Sequence, residues 1–201
     1  MEKPPNKGME QTSGALASMG RRRSLLIPSV RRTTGGSMAD AFLHSYEGQS
    51  TEELLALERD YRVDLLVLAF EQAIQDKSPD SISTEESYVL AVEGLEREVN
   101  NGGYGQFFGN SSGEFTPVIE AALRAIECPK TADITRDAIA ALRVDTVTAE
   151  SVAAAALSED ESIQQSLAAC DDRYYANDEP IADRLFRWIA ANKDRVRVGD
   201  A

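Results

Sequence analysis

The sequence has few residues that bind transition metals or serve as catalytic bases. Its 201 residues include one histidine, His44, and two cysteines, Cys128 and Cys170. A single chain of this kind cannot build a multi-histidine or cysteine-rich zinc site, and two cysteines do not make a disulfide framework. We therefore expect no metal or other cofactor, and two free thiols in a reducing cytoplasm. Cys128 precedes a proline at a helix end, where a buried thiol is expected, and acids beside Cys170 should raise its pKa.

Long apolar runs and nucleotide-binding motifs are also missing. The longest apolar stretch, residues 65–70, is far shorter than a membrane-spanning helix of about 20 residues. There is no P-loop and no nucleophile elbow. A glycine-rich segment at residues 102–105 follows a helix rather than a strand and lacks a lysine. It therefore predicts helix termination rather than phosphate binding, and we expect the protein not to be an enzyme.

Positive charge is scarce and unevenly placed. The chain has 34 acidic and 21 basic residues, a formal net charge of −13. Residues 1–37 carry seven basic and two acidic residues and are net +5, whereas residues 38–201 are net −18. Phosphates would be repelled by such a body, so direct nucleic-acid binding by it is not expected. The hydrophobic content of the whole chain, 42%, is enough for one globular core.

The first 37 residues differ in composition from the rest. They are rich in Gly, Ser, Thr and Pro and show no apolar periodicity, which predicts a disordered basic tail. Three interpretations are open: a basic arm that binds nucleic acid or the acidic body, a transit peptide, or an over-extended start with Met38 as the first residue. We favour the third, and we expect residues 38–201 to form a single acidic domain.

From residue 50 onward the apolar residues follow helical periodicity. Ser50 with Glu53, and Ser83 with Glu86, have the spacing of a capping box. No alternating run of β-branched residues predicts a strand. The pattern predicts an all-α fold of six to eight helices with short loops. The expected helices run from residue 51 to about 76, from 83 to about 101, from a cap at Thr116, from a cap at Thr131, over 148–157, over 161–170, and from about 180.

Acidic side chains are the abundant candidates for a functional surface. Those of the second helix should lie opposite its apolar stripe and face solvent, and two acidic clusters lie further along the chain. Neither cluster has the spacing of a calcium-binding EF-hand loop. The clusters are either a surface that binds a partner or an acidic face that contacts only solvent. The candidate partner-binding residues are Glu86, Glu93, Glu96, Glu159, Asp160, Glu161, Asp171 and Asp172, with Asp178 and Glu179 as further sources of charge.

The segment from residue 96 to residue 111 is the most distinctive part of the sequence. A helix end, a glycine pair and an aromatic pair follow one another, and we expect Phe107 and Phe108 to anchor a connector in the core. The amides there should hydrogen-bond the free backbone groups of a tight turn. The residues of this predicted structural corner are Asn100, Gly102, Gly103, Gln106, Phe107, Phe108 and Asn110.

This segment resembles the signature of a bacterial family known as domain of unknown function 4375, which includes a DNA mimic. The similar pattern is E-x-E-V-x-N-G-G-aromatic-x-Q-F-F-x-N-S, and weaker similarity continues at residues 172–175 and in the last helix. The resemblance implies an all-helical, dimeric fold. For the DNA mimic it also implies acidic side chains that imitate DNA phosphates and occupy a DNA-binding protein such as a transcription factor.

Three functions remain open from the sequence. The first is a DNA-mimic type of binding protein with a basic DNA-binding protein as partner, whose complex weakens with salt. Acids one helical turn apart are separated by about 5.4 Å along a helix, so helices can present carboxylates at phosphate-like intervals. The second is an immunity-like helical interaction module with apolar contacts. The third is a carboxylate- or metal-dependent enzyme, recognisable by converging acids of perturbed pKa in a pocket.

Overall fold

The computed structural model describes residues 46–199, which belong to one compact unit. The basic tail and His44 lie outside the described residues. Eight α-helices and no strand occur in the described part, which confirms the all-α prediction. None of these helices is both long and apolar enough to cross a membrane. The helices are α1 (Thr51–Ala56), α2 (Val63–Gln75), α3 (Thr84–Gly109), α4 (Thr116–Ala125), α5 (Pro129–Ala141), α6 (Ala149–Ala156), α7 (Glu161–Tyr175) and α8 (Ile181–Ala191).

The two capping boxes are present as predicted. The hydroxyl oxygens of Ser50 and Ser83 accept hydrogen bonds from the backbone N–H groups of Glu53 and Glu86, and both glutamates return the contact. The single helix predicted over residues 51–76 is wrong, because a 3₁₀ turn at Leu57–Arg59 separates α1 from α2. Both helices bury their apolar faces in the same core, so the apolar periodicity continues across the break.

Helix α3 is the centre of the fold, with α2, α4, α6 and α7 packed around it. The prediction that its acids face solvent is therefore wrong. Glu86 is only 1% exposed and accepts hydrogen bonds from Lys77 Nζ at 2.8 and 2.9 Å and from Arg197 N at 2.9 Å. Glu93 and Glu96 are half-buried. Neighbouring segments cover the sides of α3 on which these three acids lie. The residues of the same helix that remain exposed include Thr84, Arg97 and Asn100.

Two predicted helix caps are also wrong. Thr116 is buried, and its hydroxyl donates to the carbonyl of Gly113 at 2.7 Å rather than capping α4. Helix α5 begins at Pro129 instead of after Thr131. The backbone N–H groups of Lys130 and Thr131, which have no acceptor within the first turn of α5, donate to the carboxylate of Glu179 at 3.1 and 2.8 Å. Glu179 is therefore a cap supplied by a distant segment, not a surface charge.

Both cysteines are free, as expected, and both are buried. Burial was expected for Cys128 but not for Cys170. Burial raises the pKa of the Cys128 thiol to about 11, with the nearby charge of Glu179 acting in the same direction. Burial is also the main cause that raises the pKa of Cys170, and Asp137 and Asp171 contribute. The predicted direction at Cys170 is confirmed, although burial outweighs the neighbouring acids as its cause.

Candidate functional site

The distinctive segment is a kink inside α3 rather than a connector after it. Helical geometry is interrupted at Gly102 and Gly103 and then continues to Gly109. Gly103 has a φ of +78°, and a Cβ there would clash with the carboxylate of Asp171. Asp171 Oδ1 accepts a hydrogen bond from the backbone N–H of Tyr104 at 2.7 Å. A carboxylate of α7 thus caps the second half of α3, so Asp171 faces inward.

Three aromatic rings fix this kink in the core. Tyr104, Phe107 and Phe108 are all 0% exposed, which confirms the predicted burial of the two phenylalanines. The centroids of the Phe107 and Phe108 rings lie 5.3 Å apart. The Tyr104 hydroxyl lies 2.8 Å from Thr135 Oγ1 on α5, and burial raises its pKa. The predicted aromatic connector is wrong in one respect, because these residues form a helical turn.

The amides of the segment bind a carboxylate rather than only backbone groups. Asn100 donates to the carbonyl of Glu96 at 2.7 Å, as expected. Gln106 Nε2 and Asn110 Nδ2 instead donate to Oε2 of Glu98 at 2.7 and 2.8 Å. Burial acts to raise the pKa of Glu98, but these hydrogen bonds and the charge of Arg97 outweigh it and hold the pKa below its ordinary value. Glu98 therefore joins the two sides of the kink as an ionised group.

A second set of carboxylates follows α3 toward its N-terminus. Burial raises the pKa of Glu93 to about 8, and the charges of Glu71 and Glu96 act in the same direction. Burial raises the pKa of Glu96 to about 7. Glu71, on α2, is 2% exposed and binds the guanidinium of Arg97 at 2.5 Å. Perturbed acids do converge here, but no described group of three or more His, Cys, Asp or Glu residues is placed to hold a metal ion.

Glu96 also lines a cleft between α3 and the segment that joins α7 to α8. The cleft has a volume of about 190 Å³. The Tyr174 hydroxyl donates to Glu96 Oε1, and the Tyr175 hydroxyl donates to the carbonyl of Val99 at 2.5 Å. The sequence marked both tyrosines only as part of the weaker resemblance. Asn177, a third residue of the cleft, carried no sequence signal.

The remaining candidate acids lie on α7 or immediately before its first residue. Glu159, Asp160, Glu161 and Asp172 are exposed. Asp160 accepts hydrogen bonds from the backbone N–H groups of Ser162 and Ile163, which lower its pKa. The candidate acids are therefore not one array, because Glu86, Glu93, Glu96 and Asp171 point into the fold and these four do not.

The fold and the site define an all-helical domain with a kinked central helix, buried carboxylates that hold the kink, and exposed acids on a neighbouring helix. A family model described as DMP19-like protein matches residues 80–192. This is more than half of the chain, so the chain belongs to the DMP19-like protein family. That family is a DNA-mimic protein family. The assignment to domain of unknown function 4375 stays a prediction. Comparisons with curated proteins and with solved structures gave no match.

Proposed function

We propose that the protein is a non-enzymatic binding protein whose exposed carboxylates occupy the DNA-binding surface of a basic protein, such as a transcription factor. The observation that carries the proposal is the family match over residues 80–192. The charge supports it, because residues 46–199 contain 30 acidic and 14 basic residues. The buried free thiols fit a reducing cytoplasm. The dimer implied by the resemblance stays a prediction.

The exposed acids of α7 are the best candidates for the phosphate-like surface. Glu161 and Asp172 are eleven residues apart, which places them on one face of α7 at a separation of about 16 Å. Glu159 and Asp160 extend this edge beyond the N-terminus of the helix. We name these four residues the α7 acidic edge. None of the four has an ion pair with another described residue.

Ion pairs distinguish this edge from the acids of α5. Asp133 binds Arg124 and Arg136 at 2.9 and 2.8 Å, and Asp137 binds Arg173 at 2.8 Å. Those carboxylates are already partly neutralised, so they offer less attraction to a basic partner. The α7 acidic edge keeps its charge available, which is what an imitation of DNA phosphates requires.

The test reverses the charge of the edge without removing its helix cap. Asp160 stays, because loss of an N-cap costs about 1 kcal/mol, and Glu159, Glu161 and Asp172 are replaced by lysine. A matched control replaces the exposed acids Glu58, Asp76 and Asp80 by lysine, so the net charge changes equally. The full chain and both variants are used to capture proteins from the native lysate. The captures are then washed with salt or with competing duplex DNA.

We expect the unaltered chain and the control to capture a DNA-binding protein that salt and duplex DNA release, and the edge variant to lose it. Equal loss in the control would mean that only net charge matters and would contradict the assignment to α7. Capture that neither salt nor DNA reverses would contradict mimicry itself.

A second candidate function is a helical interaction module with apolar contacts. It is favoured by two apolar side chains near the same edge, Leu157 at 71% and Tyr175 at 55% exposure. Replacement of Leu157 by serine should then release a salt-resistant partner, whereas the lysine variant of the edge should retain it. These outcomes are the reverse of those expected for a DNA mimic.

A further inference from the structure

The cleft beside Glu96 is a small recess with a polar lining. Its volume of about 190 Å³ is below the roughly 300–1,000 Å³ of sites that enclose whole small-molecule ligands. It lies at the C-terminal end of α7, and Asp172 of the α7 acidic edge is three residues from Tyr175 of the cleft. A recess of this size next to a binding edge fits one side chain of a partner.

The donor groups of the cleft are already engaged within the protein. Both tyrosine hydroxyls and both asparagine amides donate to internal acceptors, so the lining has little left to offer a ligand that accepts hydrogen bonds. The contacts are Tyr174 Oη to Glu96 Oε1, Tyr175 Oη to the Val99 carbonyl at 2.5 Å, Asn100 Nδ2 to the Glu96 carbonyl at 2.7 Å and Asn177 Nδ2 to Thr131 Oγ1 at 2.8 Å.

The acceptors of the cleft are not all engaged. In the described part of the chain, Asn177 Oδ1 is the single buried side-chain oxygen or nitrogen with no hydrogen-bond partner. Glu96 receives one hydrogen bond, at Oε1. Burial raises the pKa of Glu96 to about 7, and Arg184 pairs with Glu179 of the lining rather than with Glu96. Asn177 Oδ1 is closed to solvent, so a ligand does not reach it. The second carboxylate oxygen of Glu96 accepts no hydrogen bond from another described residue and is open to the cleft, so a ligand made of donors can bind it.

An exposed aromatic ring stands beside these acceptors. Tyr175 is the last residue of α7 and is 55% exposed. Its hydroxyl donates a hydrogen bond to the Val99 carbonyl. A cation over such a ring is attracted by its π-electrons, and the C-terminal end of a helix also favours positive charge. Guanidinium combines a flat face for the ring with five N–H donors and no acceptor.

We infer that this cleft binds the guanidinium group of an arginine side chain presented by a basic partner. The inference rests on the proposed function for the origin of the arginine, but the recess itself is tested without that partner. The free carboxylate oxygen of Glu96 accepts its hydrogen bonds, and the Tyr175 ring covers one face. The α7 acidic edge then attracts the partner broadly, and the cleft selects one side chain.

The experiment uses the full chain labelled with ¹⁵N and the capped peptide acetyl-Gly-Arg-Gly-amide. The matched probe is the same peptide with citrulline, which has the shape of arginine but no charge and one donor group replaced by an oxygen. We expect saturable NMR shifts of the side-chain amides of Asn100 and Asn177 with the arginine peptide and none with citrulline.

Because binding favours ionised Glu96, affinity should increase between pH 6 and pH 8. Glu93, with a pKa of about 8 and coupled to Glu96, ionises over the same range. Glu179, with a lowered pKa, stays ionised beside Arg184.

Variants separate the cleft from general attraction. Glu96→Gln, which keeps the size and shape of the side chain, should weaken binding of the arginine peptide at least tenfold. Tyr175→Ala, at an exposed position where the change does not threaten folding, should weaken this binding severalfold. Glu161→Gln removes a charge at the far end of α7 and should change affinity less than twofold. Equal binding of the two peptides, or equal effects of Glu96→Gln and Glu161→Gln, would overturn the inference.

The proposal for the cleft and the proposed function can be rejected independently of each other. Arginine-peptide binding in the cleft without a DNA-binding partner from the lysate would uphold the recess and reject DNA mimicry. A DNA-displaceable partner that Glu96→Gln binds as well as the unaltered chain does would uphold mimicry and reject the recess.

Discussion

Replacement of Glu93 by glutamine should stabilise the protein at neutral and alkaline pH. Glu93 is half-buried on α3, and burial together with the charges of Glu71 and Glu96 raises its pKa from 4.5 to about 8. The folded state therefore holds this proton more tightly than the unfolded state. Below about pH 4.5 the group is neutral in both states and costs nothing. Stability is then lost as the pH rises toward 8, because the folded protein must ionise a carboxyl that its surroundings disfavour.

The magnitude follows from the size of the shift. One pKa unit corresponds to about 1.4 kcal/mol, so a shift from 4.5 to about 8 destabilises the ionised folded state by at most about 4–5 kcal/mol. Solvent reaches part of the side chain and screens the repulsion, so we expect about 2–3 kcal/mol. Glutamine resembles the neutral carboxyl and avoids the cost.

The assay is urea unfolding of the full chain and of Glu93→Gln at pH 5, 7 and 9. The difference in free energy of unfolding should stay below about 1 kcal/mol at pH 5 and grow to about 2–3 kcal/mol at pH 9. Glu58→Gln, at an exposed position, serves as the control and should follow the unaltered chain at every pH. Parallel curves for the unaltered chain and Glu93→Gln would refute the reasoning, because Glu93 would then ionise at its ordinary pKa.

Two further predictions concern the kink in α3. Phe107→Ala should lower the free energy of unfolding by about 3–5 kcal/mol, because it removes a fully buried ring from the core; a thermal melt without a shift would show that the ring is not an anchor. Gly103→Ala should cost at least about 2 kcal/mol, since it combines a positive φ with a clash against Asp171. Gly105→Ala, where a Cβ meets nothing within 4 Å, should leave the melting temperature unchanged or raise it.

The sequence correctly predicted those features that depend on interactions between residues close together in the chain or on the apolar character of a single side chain. The serine caps at residues 50 and 83 use a glutamate three positions on, and the burial of Phe107 and Phe108 follows from their apolar surface. The break between α1 and α2 was not predictable in this way. Residues on both sides of it face one core, and apolar periodicity reports which residues are buried but not whether the axis turns between them.

The orientation of the acids depends on contacts that local patterns do not contain. Asp171 and Glu179 cap helices that lie 67 and 48 positions away along the chain. Glu98 is fixed by Gln106 and Asn110 beyond the kink, and so appears in the sequence as one more surface charge on a helix. The helical periodicity of α3 predicts that Glu86 faces solvent, but Lys77 Nζ and the backbone N–H of Arg197 donate hydrogen bonds to its carboxylate. Long-range pairing, which requires the packed fold, decides which carboxylates remain at the surface.

This division of carboxylates limits how DNA mimicry can work in the protein. Carboxylates that are held by ion pairs, or that cap a helix from a buried position, stabilise the fold but have little charge available to a partner. At neutral pH Glu93, with a pKa of about 8, is mostly protonated and Glu96, with a pKa of about 7, is partly protonated, so neither imitates phosphate as a free group. Only exposed, unpaired acids such as those of the α7 acidic edge keep a full charge. A cation bound in the cleft favours the ionised form of the Glu96 carboxyl. Recognition at the cleft therefore depends on the partner as well as on pH.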